Sequence, residues 1–478
     1  MRFLKSVLRL TLLSIAATVA ARWVAIWWRR TALQATEDAT PPILPQQVAT
    51  DVRRMIISDL HMGMGDRLDD FDADAELAEF IRSYVIGAEP TELILAGDTF
   101  ELLQVRLPGL SDHEWSPGAA ARRLDAVLRA HPAPFAALRE FVNRPGSQLT
   151  LLIGNHDFEL HYASAKARLR QELGLPDDDA RLRFGLTYSG GGIYIDHGMQ
   201  FDPWNRFVHV EGISKPFEVV RGTRLVKEVI NALEDDALEN APLIDNVKPL
   251  SAFLWYLLSL PRLRQPNVRR FVVRALLKLF RVNAVPRLYY WQPAPELAGP
   301  AQARQTRFAS GLLRQVSTLL GRIRPAAWVQ MLVRQPDEPQ AQAALAEVQH
   351  EAKQQLRREI REFQDALVLG IARIAARPQH SATTLFVSGH THRAQVVALN
   401  EGQTYVNTGT WTTIVLDIVT NRRVTQRFPF FEVCYPDGDT PRGRLLVWQG
   451  AGVESPPWHS EGPLALEDRS DAGAATPR

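Results

Sequence analysis

Five short apolar runs, the first at Met55–Ile57 and the last at Leu385–Ser388, each stop at a carboxylate, an amide or an imidazole. Such runs are too short and too evenly apolar for surface helices and read as buried strands. Met55–Ile57 leads into Ser58-Asp59-Leu60-His61, and Glu92–Ala96 into Gly97-Asp98. Leu149–Ile153 leads into Gly154-Asn155-His156-Asp157, Ile193–Asp196 into His197-Gly198, and Leu385–Ser388 into Gly389-His390-Thr391-His392. Sheets of the α/β type bind ligands beyond the carboxyl ends of their strands. The pattern therefore predicts that these groups line one rim of one sheet. Asp70–Val85 carries Leu77, Phe80, Ile81 and Val85 at helical spacing and joins the first two strands as a βαβ unit.

Each signal is weak by itself, because Gly-Asp ends many ordinary strands and Asn-His-Asp suits a turn. Their convergence is informative. Several imidazoles and carboxylates meeting at one rim are hard to satisfy with hydrogen bonds alone, whereas mixed nitrogen and oxygen donors suit a divalent transition metal. Cys434 is the only cysteine, which excludes an internal disulfide framework and a thiolate zinc site. With 478 residues, 46% of them hydrophobic, the chain can bury a large core, and its net charge of +2 does not call for nucleic acid.

Asp59-x-His61, Gly97-Asp98, Gly154-Asn155-His156-Asp157, His197 and Gly389-His390-x-His392 resemble, in order, the signature set of the calcineurin-like metallophosphoesterases. The resemblance implies an α-β-β-α fold, a two-sheet β-sandwich flanked by helices, here with a large helical insertion. It implies two divalent transition metals, with Mn favoured and Fe or Zn as alternatives. Asp59, His61 and His392 would hold the first, Asn155, His197 and His390 the second, and Asp98 would bridge them. A hydroxide shared by the metals would attack phosphorus, with His156 acting on the transition state or leaving group and Glu101 as its partner. The following stretch, Asn407-Thr408-Gly409-Thr410-Trp411, resembles the family's supporting strand and turn, and the strands after Thr404 through Val447 are expected to complete the second sheet.

Departures narrow the class. The protein phosphatases of the superfamily carry an Arg shortly after the bridging Asp, where this chain has Leu102 and Leu103. Phe100-Glu101 is closer in style to the branch of the UDP-2,3-diacylglucosamine pyrophosphatases, which act on a lipid. That branch has Arg at the position of His156 and a much shorter chain.

The connection between His197 and Leu385 reads as a helical lid, with domain limits at 205 and 380. Between Asn246 and Pro336 the only acidic residue is Glu296, and Val268, Phe271, Val272, Ala275, Leu276 and Leu279 fall opposite Arg270, Arg274, Lys278 and Arg281. Basic amphipathic helices suit an anionic membrane surface, although amphipathicity also marks any surface helix. Gln340–Arg377 reads as one long polar helix. At the N-terminus, residues 1–30 combine basic residues with the apolar stretch Leu10–Ala21 and Trp23, Trp27 and Trp28. They read as an uncleaved anchor or interfacial helix, with a cleaved signal as the alternative. The expected location is a membrane, with the cytoplasmic face slightly favoured. Residues 31–52 read as a linker, 53–204 and 381–450 as the two parts of the catalytic core, and 451–478 as a disordered tail.

The function expected is a metal-dependent phosphoesterase or pyrophosphatase, with a lipid-linked or amphipathic phosphate and a membrane surface as partners and no nucleic acid. The alternatives are a membrane-tethered scaffold on the same fold, or a nucleotide or nucleic-acid phosphodiesterase.

Overall fold

The computed structural model describes residues 34–231 and 366–458, apart from short stretches at 36–37, 46–48, 216, 401, 413–414, 418–421, 424–426 and 439. In chain order the strands are β1 (Gln34–Ala35), β2 (Arg53–Ile57), β3 (Thr91–Ala96), β4 (Ser147–Leu152), β5 (Leu182–Gly185), β6 (Thr187–Gly190), β7 (Ile193–Asp196) and β8 (Ser214–Lys215). They continue with β9 (Leu385–Ser388), β10 (Gln395–Asn400), β11 (Gln403–Asn407), β12 (Val415–Asp417), β13 (Arg422–Arg423), β14 (Phe428–Cys434) and β15 (Arg442–Trp448). Helices α1 (Asp74–Phe80), α2 (Pro117–Ala130), α3 (Pro132–Val142) and α4 (Ala163–Leu173) lie between the four successive strands β2 to β5. The expected helix after β2 begins at Asp74 and ends in a π-turn over Ile81–Val85. Ser116 starts α2 by accepting a hydrogen bond from the Ala119 N–H, with Pro117 in the first turn.

Two sheets pack face to face. One has six strands in the order β15-β14-β2-β3-β4-β5, the other five in the order β10-β11-β9-β7-β6. Strand periodicity sorts the side chains. On β2 to β4, Ile56, Ile94, Ala96 and Leu152 point to the second sheet, where Ile193, Ile195, Val387 and Val406 meet them. Met55, Ile57, Leu93, Leu95, Leu149 and Leu151 point the other way, onto the helices. The outer face of the second sheet, with Tyr194, Phe386 and Tyr405, is covered by Leu367, Ile371 and Ile374 of the helix at 366–375. The layering is the α-β-β-α sandwich that the resemblance implies.

Two expectations need correction. The candidate groups do not share one sheet: β2, β3 and β4 belong to the first, β7 and β9 to the second. Nor do all the late strands complete the second sheet. β11 joins it, whereas β14 pairs antiparallel with β2 and carries β15 with it to the edge of the first. Phe430 and Trp448 need that place, because they pack with Phe80 of α1 at ring distances of 5.0 and 5.5 Å.

The far end of the intersheet face is polar. Glu92 accepts hydrogen bonds from Thr150 at 2.7 Å and Arg183 at 2.5 Å and lies 3.4 Å from Arg54, whose Nε donates to the Tyr188 hydroxyl at 3.1 Å. Glu92 and Arg54 are almost fully buried. Glu92→Ala leaves the Arg54 charge without its counter-ion and is expected to destabilise the fold by about 3–5 kcal/mol. A denaturant midpoint within experimental error of the parent would contradict that role.

Among the described residues no helix is long and apolar enough to cross a membrane. Residues 1–30, the basic stretch at 246–336 and most of the helix expected over 340–377 lie outside the described residues. At the other end, Trp458 N–H bonds to the Leu445 carbonyl, so residues up to 458 lie against β15.

Candidate metal centre

The parallel register brings the strand ends together: Ile57 is level with Leu95, Ala96 with Leu152, and Ile195 with Val387. From each end the chain turns sharply. Six non-glycine residues among those described have positive φ, and five are Asp59, His61, Asp98, His390 and His392, with φ between 49° and 70°. Such conformations cost of order 1 kcal/mol or more each and cluster where side chains must be aimed. The turns are locked to one another. Asp59 N–H bonds to the Gly97 carbonyl, His61 N–H to the Asp98 carbonyl, and Gly389 N–H to the His197 carbonyl.

The glycines before Asp98, Asn155 and His390 each leave room for a ligand from another strand. A Cβ on Gly97 would lie 2.5 Å from His197 Nδ1, one on Gly154 2.2 Å from Asp98 Oδ1, and one on Gly389 2.2 Å from Asp59 Oδ2. Gly-Asp, Gly-Asn-His and Gly-His are therefore more than turn signals, because each glycine is a point of close approach.

Two clusters result. In the first, Asp59, His61 and His392 converge: His61 Nε2 lies 2.9 Å from His392 Nε2, which lies 3.3 Å from Asp59 Oδ1. In the second, Asp98, His197 and His390 converge, with His197 Nε2 3.0 Å from Asp98 Oδ2. The same Asp98 oxygen lies 3.8 Å from His61 Nε2, so it faces both clusters. Asp98 Oδ2, His197 Nε2 and Asn155 Oδ1 are buried without a hydrogen-bond partner among the described residues. His197 Nδ1 is engaged with the Ala96 carbonyl at 3.0 Å, which leaves Nε2 as the nitrogen directed to Asp98 and available to a cation once its proton is lost. Orphaned donor atoms of this kind, all nitrogen or oxygen, fit a pair of divalent cations.

The electrostatics agree. Burial alone would lower the His61 and His197 pKa values, but the carboxylates outweigh it. Asp59 and Glu101 push His61 up to about 10, and Asp98 pushes His197 up to about 9. Burial would raise Asp59 and Asp98, yet His392 and His61 hold the first, and His197 and His156 the second, well below the usual carboxylate range. Asp157 goes the opposite way. Burial and the charge of Asp98 push it up to about 7, while its oxygens accept the N–H groups of Gly154 and Thr99, both at 2.7 Å.

Glu101 ties the clusters to His156. One oxygen, Oε2, lies 2.9 Å from His61 Nδ1 and 2.5 Å from His156 Nδ1. Burial opposes ionisation of Glu101, but His156 and His61 bring its pKa down to about 2. The His156 side chain keeps 11% of its surface exposed against 2% for Glu101, so the imidazole meets solvent. The supporting stretch after β11 also contacts the centre: Asn407 Nδ2 donates to the Gly389 carbonyl at 2.6 Å and Thr410 Oγ1 to the Asp59 carbonyl at 2.6 Å.

Three contacts had no sequence signal. Ser58 Oγ donates to Asp59 Oδ2 at 2.5 Å, Glu101 reaches His61 as well as His156, and Asp202 Oδ2 lies 3.1 Å from His390 Nε2.

Two facing sheets thus lie between helices, with Asp and His side chains from both meeting at one rim. Residues 52–276 match the family model described as calcineurin-like phosphoesterase. The match includes Asp59, His61, Asp98, Glu101, Asn155, His156 and His197, and the fold adds His390 and His392 from beyond it. No curated protein matches the chain.

Proposed function

We propose that the protein is a dinuclear-metal phosphoesterase that hydrolyses a phosphate ester or anhydride. The observation that carries this reading is the single Asp98 oxygen facing two His–Asp clusters. Asp59, His61 and His392 would hold one divalent cation, Asn155, His197 and His390 the other, and Asp98 both. Such a pair activates water and neutralises charge developing at phosphorus. Mn fits the donor set, as do Fe and Zn.

The chain's own contribution is positioning and proton transfer. Glu101 Oε2 lies against both His61 Nδ1 and His156 Nδ1, and engaging His61 at Nδ1 turns its Nε2 toward the cation site. The same carboxylate fixes the His156 ring through Nδ1, and we assign its Nε2 to the leaving oxygen. A filled ligand set together with a Glu101–His156 pair favours an enzyme over a scaffold, since a scaffold needs neither.

The substrate we propose is amphipathic, in the style of the lipid pyrophosphatase branch. The basic sequence between Asn246 and Pro336 and the apolar N-terminal segment support the same reading and a place at a membrane surface.

The test is hydrolysis by the Mn-loaded full chain of an aryl phosphate, an aryl diester, a nucleoside diphosphate sugar and anionic phospholipids, with and without detergent. Turnover of the lipids above the soluble compounds is expected. Absence of bound transition metal together with no hydrolysis of any compound would leave the scaffold.

A further inference from the structure

We infer that Asp202 is a positioning residue for the second cation site, acting through His390. The inference rests on the dinuclear reading above. His390 belongs to the cluster with Asp98 and His197, and its Nε2 is engaged by Asp202 Oδ2 at 3.1 Å. An Nε2–H donated to a carboxylate fixes the tautomer in which Nδ1 carries the lone pair. It also makes that nitrogen a stronger donor, as carboxylate–histidine pairs do around metals.

Asp202 is built for this task. It is buried, and both carboxylate oxygens are held: Trp204 N–H donates to Oδ1 at 2.8 Å and Asn205 Nδ2 to Oδ2 at 2.6 Å. Its carbonyl accepts the N–H groups of Asn205 and Arg206. Asn205 is fixed in turn by the short helix Arg221–Leu225, where a Cβ on Gly222 would fall 1.7 Å from Asn205 Oδ1 and Gly222 N–H bonds to the Trp204 carbonyl at 2.8 Å. The carboxylate therefore cannot swing away without moving that helix.

The loop that places Asp202 is the one that supplies His197. After His197 the chain turns through Gly198, at φ 100°, and the 3-10 turn Met199–Phe201, so that one loop delivers a candidate ligand and the carboxylate orienting another. The His197 and His390 rings meet edge to face at 5.1 Å. A shift of this loop would move both second-site imidazoles together, and neither belongs to the first cluster.

The experiment is titration of the metal-stripped full chain with Mn2+, followed by calorimetry and by the spin-coupled electron paramagnetic resonance signal of a metal pair. Asp202→Ala, Asp202→Asn and His390→Ala are compared with the parent. In Asp202→Ala the first equivalent keeps its affinity, the second weakens about 10–100-fold, and the coupled signal gives way to that of a single ion. Asp202→Asn loses less, because an amide oxygen still accepts from Nε2–H. Adding Asp202→Ala to His390→Ala costs nothing further at the second site, which a merely structural carboxylate would not show. Parental affinity for both equivalents in Asp202→Ala overturns the inference, and so does an equal loss with and without His390. If Asp202→Ala does not fold, Asp202→Asn decides: unchanged second-site affinity overturns the inference and a selective loss supports it. A parent chain that takes up no Mn2+ would remove the dinuclear reading itself and this inference with it.

Discussion

Replacing Asp98 by Ala is expected to abolish binding of both cations and to lower phosphoesterase turnover by at least about 10³-fold. The magnitude follows from losing several kcal/mol of charge stabilisation at phosphorus, at 1.36 kcal/mol per factor of ten. Removing any other carboxylate should do less, because among the described residues it is the Asp98 oxygen that faces both clusters, 3.0 Å from His197 Nε2 and 3.8 Å from His61 Nε2. Its other oxygen accepts the His156 N–H at 2.8 Å, so the variant also loosens the turn bearing the proposed general acid.

The pH dependence of the metal-stripped protein gives the same prediction a second readout. His61 and His197 have folded pKa values raised to about 10 and about 9 against an ordinary value of 6.5. Groups raised in this way stabilise the fold fully below the ordinary value and lose that contribution as pH rises through the folded value. In chelator, thermal stability should therefore fall between pH 7 and 10, and less steeply in Asp98→Ala, where His197 has lost its chief partner. Cation uptake must displace these protons, so affinity in the parent should rise over the same interval. An Asp98→Ala protein that still binds two Mn2+ ions, or a parent whose metal-free stability is flat over this range, would contradict the assignment.

How much of this could be read from the sequence depended on how local each signal was. The strands that carry Asp59, Asp98, Asn155 and His197 announce themselves, because a buried strand is uniformly apolar and its end is abrupt. The partition of those strands between two sheets does not, because β2, β3, β7 and β9 look alike while their neighbours are chosen by distant packing. The place of β14 beside β2 follows from Phe80, Phe430 and Trp448, contacts with no local pattern. Asp202 was invisible for another reason: an Asp in a loop is the commonest of turn residues, and only its 3.1 Å contact with a histidine far along the chain separates it from the rest. The glycines were visible as turns but not as points of close approach. At Gly154 and Gly389 the intruding atoms come from Asp98 and Asp59, on other strands.

His156→Ala is expected to lower kcat by about 10²–10⁴-fold, the range for loss of a positioned proton donor, while both cations stay bound. The separation is possible because its Nδ1 lies against Glu101, outside the two clusters, and its side chain is more open to solvent than those buried around Asp98. Leaving-group dependence sharpens the test. A nitrophenolate departs without protonation, so the variant should lose little on an activated aryl phosphate and most on an alkyl ester. Glu101→Gln should behave differently. It removes the carboxylate shared by His156 and His61, at 2.5 and 2.9 Å, so proton donation and the first cation site weaken together. Once Glu101 is gone, adding His156→Ala should then cost less than it does alone, since the two act as one unit. Equal losses by His156→Ala on aryl and alkyl esters would place His156 in transition-state charge stabilisation instead of leaving-group protonation. Full activity in the variant would remove it from the chemistry altogether.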